Sequence, residues 1–325
     1  MDIRRDIIAD FKQWKDSPQR KPILLQGARQ IGITWVMEAF GKECFEQYAR
    51  FDFDRQPELK SVFQVSKSPE RIIKELALYC DVPLIAGKTL LIFDEIQECE
   101  EALNSLKYFC EEAPQYHIIA AGSLLGVAVK RRRMTVPVGK VRVMRMYPVS
   151  FREFLRVSDE QTFEYVEGIE SPTHLPEIIL NKLKLEYRRY MICGGMPEAV
   201  VAMLNNHAHL PASTIMDSSS NYTEFKGAMA ENAVLQSLMP MMNNQMPNYW
   251  SPDSKAELEL LIQWKDEIIP IEVKAENCIS GRSLSVYNDK YHPLHRIRFS
   301  FLNLQSNGGL LSCPSPLAEW FWKWI

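Results

Sequence analysis

Leu90-Leu91-Ile92-Phe93 is an uninterrupted apolar run that stops at Asp94-Glu95. A strand that is apolar on both faces needs cover on both, so it belongs inside a sheet held between two layers. Ile23-Leu24-Leu25, ended by Gln26-Gly27, has the same character. So does Ile118-Ile119-Ala120-Ala121, ended by Gly122-Ser123. Helical patterns separate the three runs. The first half therefore predicts a parallel three-layer α/β domain over 1–146.

With 325 residues, the chain is long enough for a second domain. Residues 147–204 read as helical, and 205–222 turn polar and rich in Ser and Asn, which predicts a linker. Beyond it, 223–325 opens with a helix from Glu224 to Leu238. Strand patterns follow at Glu257–Gln263 and Ile268–Ala275, with a turn at 265–267. Apolar residues are 46% and charged residues 24%, which excludes a disordered chain or a rod. Lys and Arg number 38 against 41 Asp and Glu, so the net charge of −3 names no polyanionic partner by itself. No stretch is long enough to span a bilayer, since Gly122, Ser123 and Gly126 break the most apolar one. The charged start MDIRRDIIADF argues against an export signal. Seven cysteines, an odd count without a CxxC pair, fit reduced thiols. The expectation is a cytoplasmic protein with no membrane contact.

Gly27-Ala28-Arg29-Gln30-Ile31-Gly32-Ile33-Thr34 lies between a predicted strand and a predicted helix, the context in which GxxxxGK[ST] forms a phosphate loop. Backbone N–H groups and the helix terminus would meet phosphate oxygens there. Thr34 stands where a hydroxyl ligates Mg²⁺, but Ile33 replaces the lysine. The competing account is a strand–turn–helix whose glycines only permit close packing. Asp94 is placed to hold Mg²⁺, Glu95 to orient and deprotonate water, and Ser123 to meet a γ-phosphate or that water. As ordinary residues, the acids would be a solvated strand end and the serine a helix cap. Groups at the C-terminal ends of parallel strands converge on the crevice where such sheets bind ligands.

GARQIG-T, LLIFDEIQ, AAGSLLGVA, PVGKV, YPVSFREFL and GGMPEAV together resemble a family of prokaryotic AAA-type ATPases. The resemblance resumes with TEFKGAMAEN through IPIEVKA, where the family carries a domain of unknown function with nuclease-like features. It implies ATP and Mg²⁺ as cofactors, Thr34 and Asp94 on the metal, Glu95 as catalytic carboxylate and Ser123 as sensor. This chain departs from the pattern at Ile33 and in a shorter segment between GGMPEAV and TEFKGA.

In the C-terminal region, Glu259 and, thirteen residues on, Glu272-Val273-Lys274 resemble the acidic pattern of a nuclease superfamily, with Glu231 as a further acid. Glu272 and Lys274 share a strand face, so a metal-assisted phosphodiester site is one reading. Cross-strand ion pairing is the other. Lys130, Arg131, Arg132 and Arg133, with Lys140, Arg142 and Arg145, place seven positive charges and no acid across 130–145. This reads either as a DNA-backbone contact or as a solvated face. Function follows in three versions. The leading one is an AAA-like ATP-binding protein with weak or absent hydrolysis. The alternatives are a nucleic-acid-processing enzyme using the C-terminal carboxylates, and a non-catalytic interaction protein that retains the fold.

Overall fold

A computed structural model describes residues 3–123, 137–205, 226–242, 245–251, 257–274 and 282–325. They form two compact units, Arg4–Pro148 and Val149–Ile325, the second also taking in Ile3.

The first unit runs α1 (Ile7–Asp16), β1 (Ile23–Gly27), α2 (Ile33–Cys44), β2 (Gln47–Asp52), α3 (Lys60–Gln64), α4 (Pro69–Leu76), β3 (Thr89–Asp94), α5 (Glu100–Glu112), β4 (His117–Ser123) and β5 (Arg142–Arg145). The sheet order is β2-β3-β4-β1-β5, and every neighbouring pair is parallel. Because β4 inserts between β3 and β1, the C-terminal ends of these three strands lie side by side. Every residue of β3 is buried, as its unbroken apolar run requires. On one face Phe93 meets Phe51, Phe53, Phe63 and Phe109, with ring centroids 5.8–6.4 Å apart. Edge-to-face packing of this kind adds to simple area burial. His117, at the opposite end of β4 from the crevice, packs edge-on against Trp14 and Phe45. Burial takes its imidazole down to about 4, so it stays neutral in the core. The polar–apolar alternation over Val136–Met146 resolves, among the described residues, into β5 as an exposed edge strand on β1.

The second unit holds α6 (Phe151–Ser158), α7 (Glu160–Glu167), α8 (Glu177–Cys193), α9 (Pro197–Asn205), α10 (Lys226–Leu238) and α11 (Arg282–Tyr291). Its strands are β6 (Asn248–Trp250), β7 (Leu258–Trp264), β8 (Glu267–Val273), β9 (Arg296–Ser300), β10 (Gln305–Asn307) and β11 (Leu310–Pro314). They form a mixed sheet in the order β10-β11-β9-β8-β7-β6, parallel at β8–β9 and β9–β11. Lys265, at φ 54°, turns β7 into β8. Apolar side chains of α6, α8, α9 and α10 share one core with β7, β8, β9 and the C-terminal tail.

Two carboxylates of this unit are shifted in opposite directions. Glu167 accepts from Arg152 Nε and Trp320 Nε1, both at 2.7 Å, and lies 3.3 Å from Lys323 Nζ. Burial alone would raise its pKa, but these donors take it down to about 2. Glu319 accepts the Phe151 N–H at 2.8 Å at the start of α6, yet burial pushes it up to about 7. A depressed carboxyl stabilises the fold above its unfolded pKa and loses that contribution as pH falls. A raised one stabilises at low pH and loses its contribution as pH rises through the folded value. Thermal melting of Glu167→Gln should therefore show a shallower loss of stability from about pH 4.5 down to 2. Glu319→Gln should flatten the decline between about pH 4.5 and 7. Unchanged slopes in either variant would remove that carboxylate from the account.

Candidate nucleotide site

The turn from β1 into α2 surrounds a cavity of about 660 Å³. Ala28, Arg29, Gln30, Gly32, Ile33 and Thr34 form one side of it, and Asp94, Glu95 and Gly122 line it from the neighbouring strand ends. The volume falls within the usual range for small-molecule sites. Gly32 adopts φ 87° and Gln30 φ 64°, left-handed conformations that let the chain curl before α2 begins. Gly27 is required for a different reason. A Cβ there would lie 2.9 Å from the Met146 carbonyl oxygen, 2.6 Å from Ile31 Cδ1 and 3.0 Å from Ile33 Cδ1.

Ile31 does not line the cavity. It is fully buried, and its carbonyl accepts from Arg5 Nη1 at 3.0 Å, which pins the loop to the domain. Ile33 does line the cavity, while its Cδ1 lies over Gly27. The lysine position is therefore filled by an apolar branch at the loop itself.

Thr34 and Asp94, sixty residues apart, meet directly: Thr34 Oγ1 donates to Asp94 Oδ2 at 2.9 Å. Asp94 is 3% exposed. Glu95 follows at φ 50°, an uncommon conformation for a non-glycine residue and one found at functional sites. Its backbone N–H bonds Asp94 Oδ1 at 3.1 Å, and the Gln97 amide donates to its Oε2. Ser123 ends β4 with its backbone opposite Gly27, and its side chain lies outside the described residues.

Sequence reasoning missed Arg50, on β2. Its Nε and Nη2 both lie 2.9 Å from Asp94 Oδ2, and Nη2 also reaches Asp52 Oδ2 at 2.8 Å. Its Nη1 is 3.5 Å from Glu38 on α2. The signal was present as Tyr48-Ala49-Arg50-Phe51-Asp52-Phe53, a strict alternation that puts Arg50 and Asp52 on the same face. Lys140, one of the positive charges counted across 130–145, pairs with Glu111 at 2.7 Å. Arg29 remains in the cavity lining, together with the acids Asp54, Asp94, Glu95 and Glu98.

Residues 19–155 match an AAA domain. The parallel sheet, the β1–α2 loop and the acids closing β3 make the first unit an AAA-like P-loop α/β domain, which is the architecture of an AAA-type ATPase. Residues 226–308 match a domain of unknown function, DUF4143, whose description names no nuclease. No curated protein matches the chain. Among solved structures it is similar to a Walker-type ATPase of Pyrococcus abyssi at 16% identity, covering 75% of this chain and 77% of that one with a TM-score of 0.39. The ADP form of the Aeropyrum pernix ORC2 protein is similar at 14% identity, with coverage of 78% and 77% and a TM-score of 0.37. AMPPCP-bound DnaA from Aquifex aeolicus follows at 10%, with 74% and 78% covered and a TM-score of 0.34.

An AAA domain implies Mg²⁺ with its nucleotide, and the Thr34 hydroxyl and Asp94 carboxylate are donors of the right type. In this chain, however, both Asp94 oxygens already accept protein donors: Thr34 and Arg50 at Oδ2, and the Glu95 N–H at Oδ1.

In the second unit, Glu272 is 1% exposed and bonded on both sides, to Lys274 Nζ at 3.1 Å and Arg298 Nε at 3.3 Å. Arg298 sits opposite it on β9 and was not anticipated. Glu259 accepts the Val273 N–H at 3.3 Å, and burial raises its pKa against the opposing backbone hydrogen bonds and Lys274. Among the described residues, no group of three or more His, Cys, Asp or Glu is arranged to hold a metal ion. Lys130, Arg131, Arg132 and Arg133 lie outside the described residues. No helix among those residues is long and apolar enough to cross a membrane.

Proposed function

We propose that this chain binds ATP in the Gly27–Thr34 cavity and hydrolyses it weakly or not at all. The contact between Thr34 and Asp94 in the lining of a nucleotide-sized cavity, with Ile33 where a lysine would stand, carries this reading. Gly27 and Gly32 shape the loop, and Gly32 directly precedes α2, whose free N–H groups suit phosphate oxygens. Glu95, held by Gln97, is the carboxylate positioned to orient a water. The acids lining the cavity oppose a polyanion, and no lysine offsets them, so the binding is weak. Cleavage of nucleic acid by Glu231, Glu259, Glu272 and Lys274 gains no support from a Glu272 carboxylate closed between two cations.

Calorimetric titration of ATP into the full chain tests the reading. The expected Kd is tens of micromolar or weaker, equivalent to roughly −6 kcal/mol or less favourable. Gly32→Val, which closes the left-handed turn of the loop ahead of α2, should abolish the heat. Absence of binding by the unaltered chain at millimolar ATP would overturn the reading and leave its two alternatives, the nucleic-acid-processing enzyme and the non-catalytic interaction protein.

A further inference from the structure

Arg50 holds its guanidinium among three carboxylates: Asp94 on β3, Asp52 on β2 and Glu38 on α2. Two of its nitrogens point at Asp94 Oδ2, the same atom that accepts the Thr34 hydroxyl. An ionised carboxylate offers about four acceptor sites on its two oxygens. Thr34, Arg50 Nε and the Glu95 N–H donate to Asp94, and Arg50 Nη2 stands 2.9 Å from Oδ2 while donating to Asp52, so most of those sites are taken. A cation already stands at the corner where the donor types invite Mg²⁺. Mg²⁺ demands near-octahedral oxygen coordination and keeps several waters, so a guanidinium held on the same carboxylate competes with it for those acceptor sites.

We infer that Arg50 acts as a resident counter-cation that suppresses Mg²⁺ binding at Thr34–Asp94, making nucleotide binding by this chain largely independent of the metal. The inference rests on the ATP-binding reading above for its nucleotide half alone. Arg50 is a positioning residue: it is absent from the cavity lining and acts through Asp94. It also offsets the local excess of acid. Asp52 and Asp94 end adjacent strands in register, and like charges at that separation repel unless a cation joins them. Removing the guanidinium frees the Asp94 carboxylate beside the Thr34 hydroxyl and leaves Asp52 and Glu38 without their shared cation, which lowers the electrostatic barrier to a divalent ion at Asp94.

Two measurements on full-length protein separate the parts of the claim. In the first, Mn²⁺ is titrated into nucleotide-free protein and followed by electron paramagnetic resonance. The unaltered chain should show no site tighter than millimolar. Arg50→Met should gain one, by roughly tenfold or more, because a repelling cation is replaced by a neutral side chain of similar length. Asp94→Asn added to Arg50→Met should remove it. In the second, the ATP affinity of the unaltered chain is compared in Mg²⁺ and in EDTA, where a change of less than about threefold is expected. A tenfold gain with Mg²⁺ in the unaltered chain, or no new Mn²⁺ site in Arg50→Met, overturns the inference. The Mn²⁺ result stands even if ATP does not bind, so a failure of the nucleotide reading is distinguishable. Arg50→Gln provides the same readings should the Met variant not fold.

Discussion

Ile33→Lys should tighten ATP binding by about 10- to 100-fold, the effect of one charge-assisted hydrogen bond of roughly 1.5–3 kcal/mol. The upper limit comes from Coulomb's law: one charge pair near 4 Å at a surface-like dielectric is worth roughly 4 kcal/mol. Geometry favours the substitution, because Ile33 already lies along the loop with Cδ1 over Gly27. Ile33 also lines the cavity, so the longer and more flexible lysine stem has a route for its ammonium into it. The change also removes an apolar branch from the route of the phosphates. Turnover should respond more strongly once Asp94 is freed as well. Ile33→Lys with Arg50→Met is expected to gain about 10² to 10³ in rate over Ile33→Lys alone, the usual effect of one preorganised electrostatic contribution. Steady-state hydrolysis by the single and double variants, each with and without Glu95→Gln, is the measurement. If the unaltered chain turns over as fast as Ile33→Lys and Glu95→Gln abolishes both rates, a substitute cation exists and the weak-hydrolysis reading is wrong.

The strands that could be read from sequence were those whose pattern was set by burial alone. β1, β3 and β4 are internal strands, covered on both faces, and their continuous apolar runs announce this. β2 is an edge strand whose faces differ: Ala49 and Phe51 enter the core, while Arg50 and Asp52 face the acids of the site. Its alternation is as regular as that of any strand, but it sits inside charged sequence and was passed over. That omission hid Arg50, the residue that most alters the chemistry of Asp94. In the second unit, the β7–β8 hairpin was visible because strong strand formers flank a polar turn. β9 to β11 and α11 were not anticipated. β10 is three exposed residues long, and β9 carries Arg296 and Arg298 in a sequence without a clean period. Arg298 is buried only because Glu272 lies opposite it, a pairing that no local pattern reveals. The loop–acid contact was legible because its two halves each carry a motif with a mechanism. Occupation of that contact by a third side chain was not, because it depends on strand order.

Trp320→Ala should destabilise the Val149–Ile325 unit by about 3–5 kcal/mol, the range for removing a large buried aromatic side chain. Trp320 is 1% exposed, stands edge-on to Phe151 with ring centroids 6.5 Å apart, and donates its indole N–H to Glu167. Its neighbour Phe321 is fully buried and packs at right angles on Phe299 of β9. The tail is thus a part of the core that joins the helices to the mixed sheet, and truncation there opens a cavity rather than a surface dent. A second loss accompanies the cavity, since Glu167 keeps Arg152 and Lys323 but loses a neutral donor. Trp320→Phe separates the two effects. It retains most of the ring volume and should cost only about 1–2 kcal/mol, from the lost hydrogen bond and the smaller ring. Hydrogen exchange read by mass spectrometry localises the damage. Amides of β7, β8 and β9 should lose protection in Trp320→Ala, while those of β1, β3 and β4 retain theirs. A loss below about 1 kcal/mol would mean that the tail only covers the unit, because surface substitutions away from special features stay within about half that.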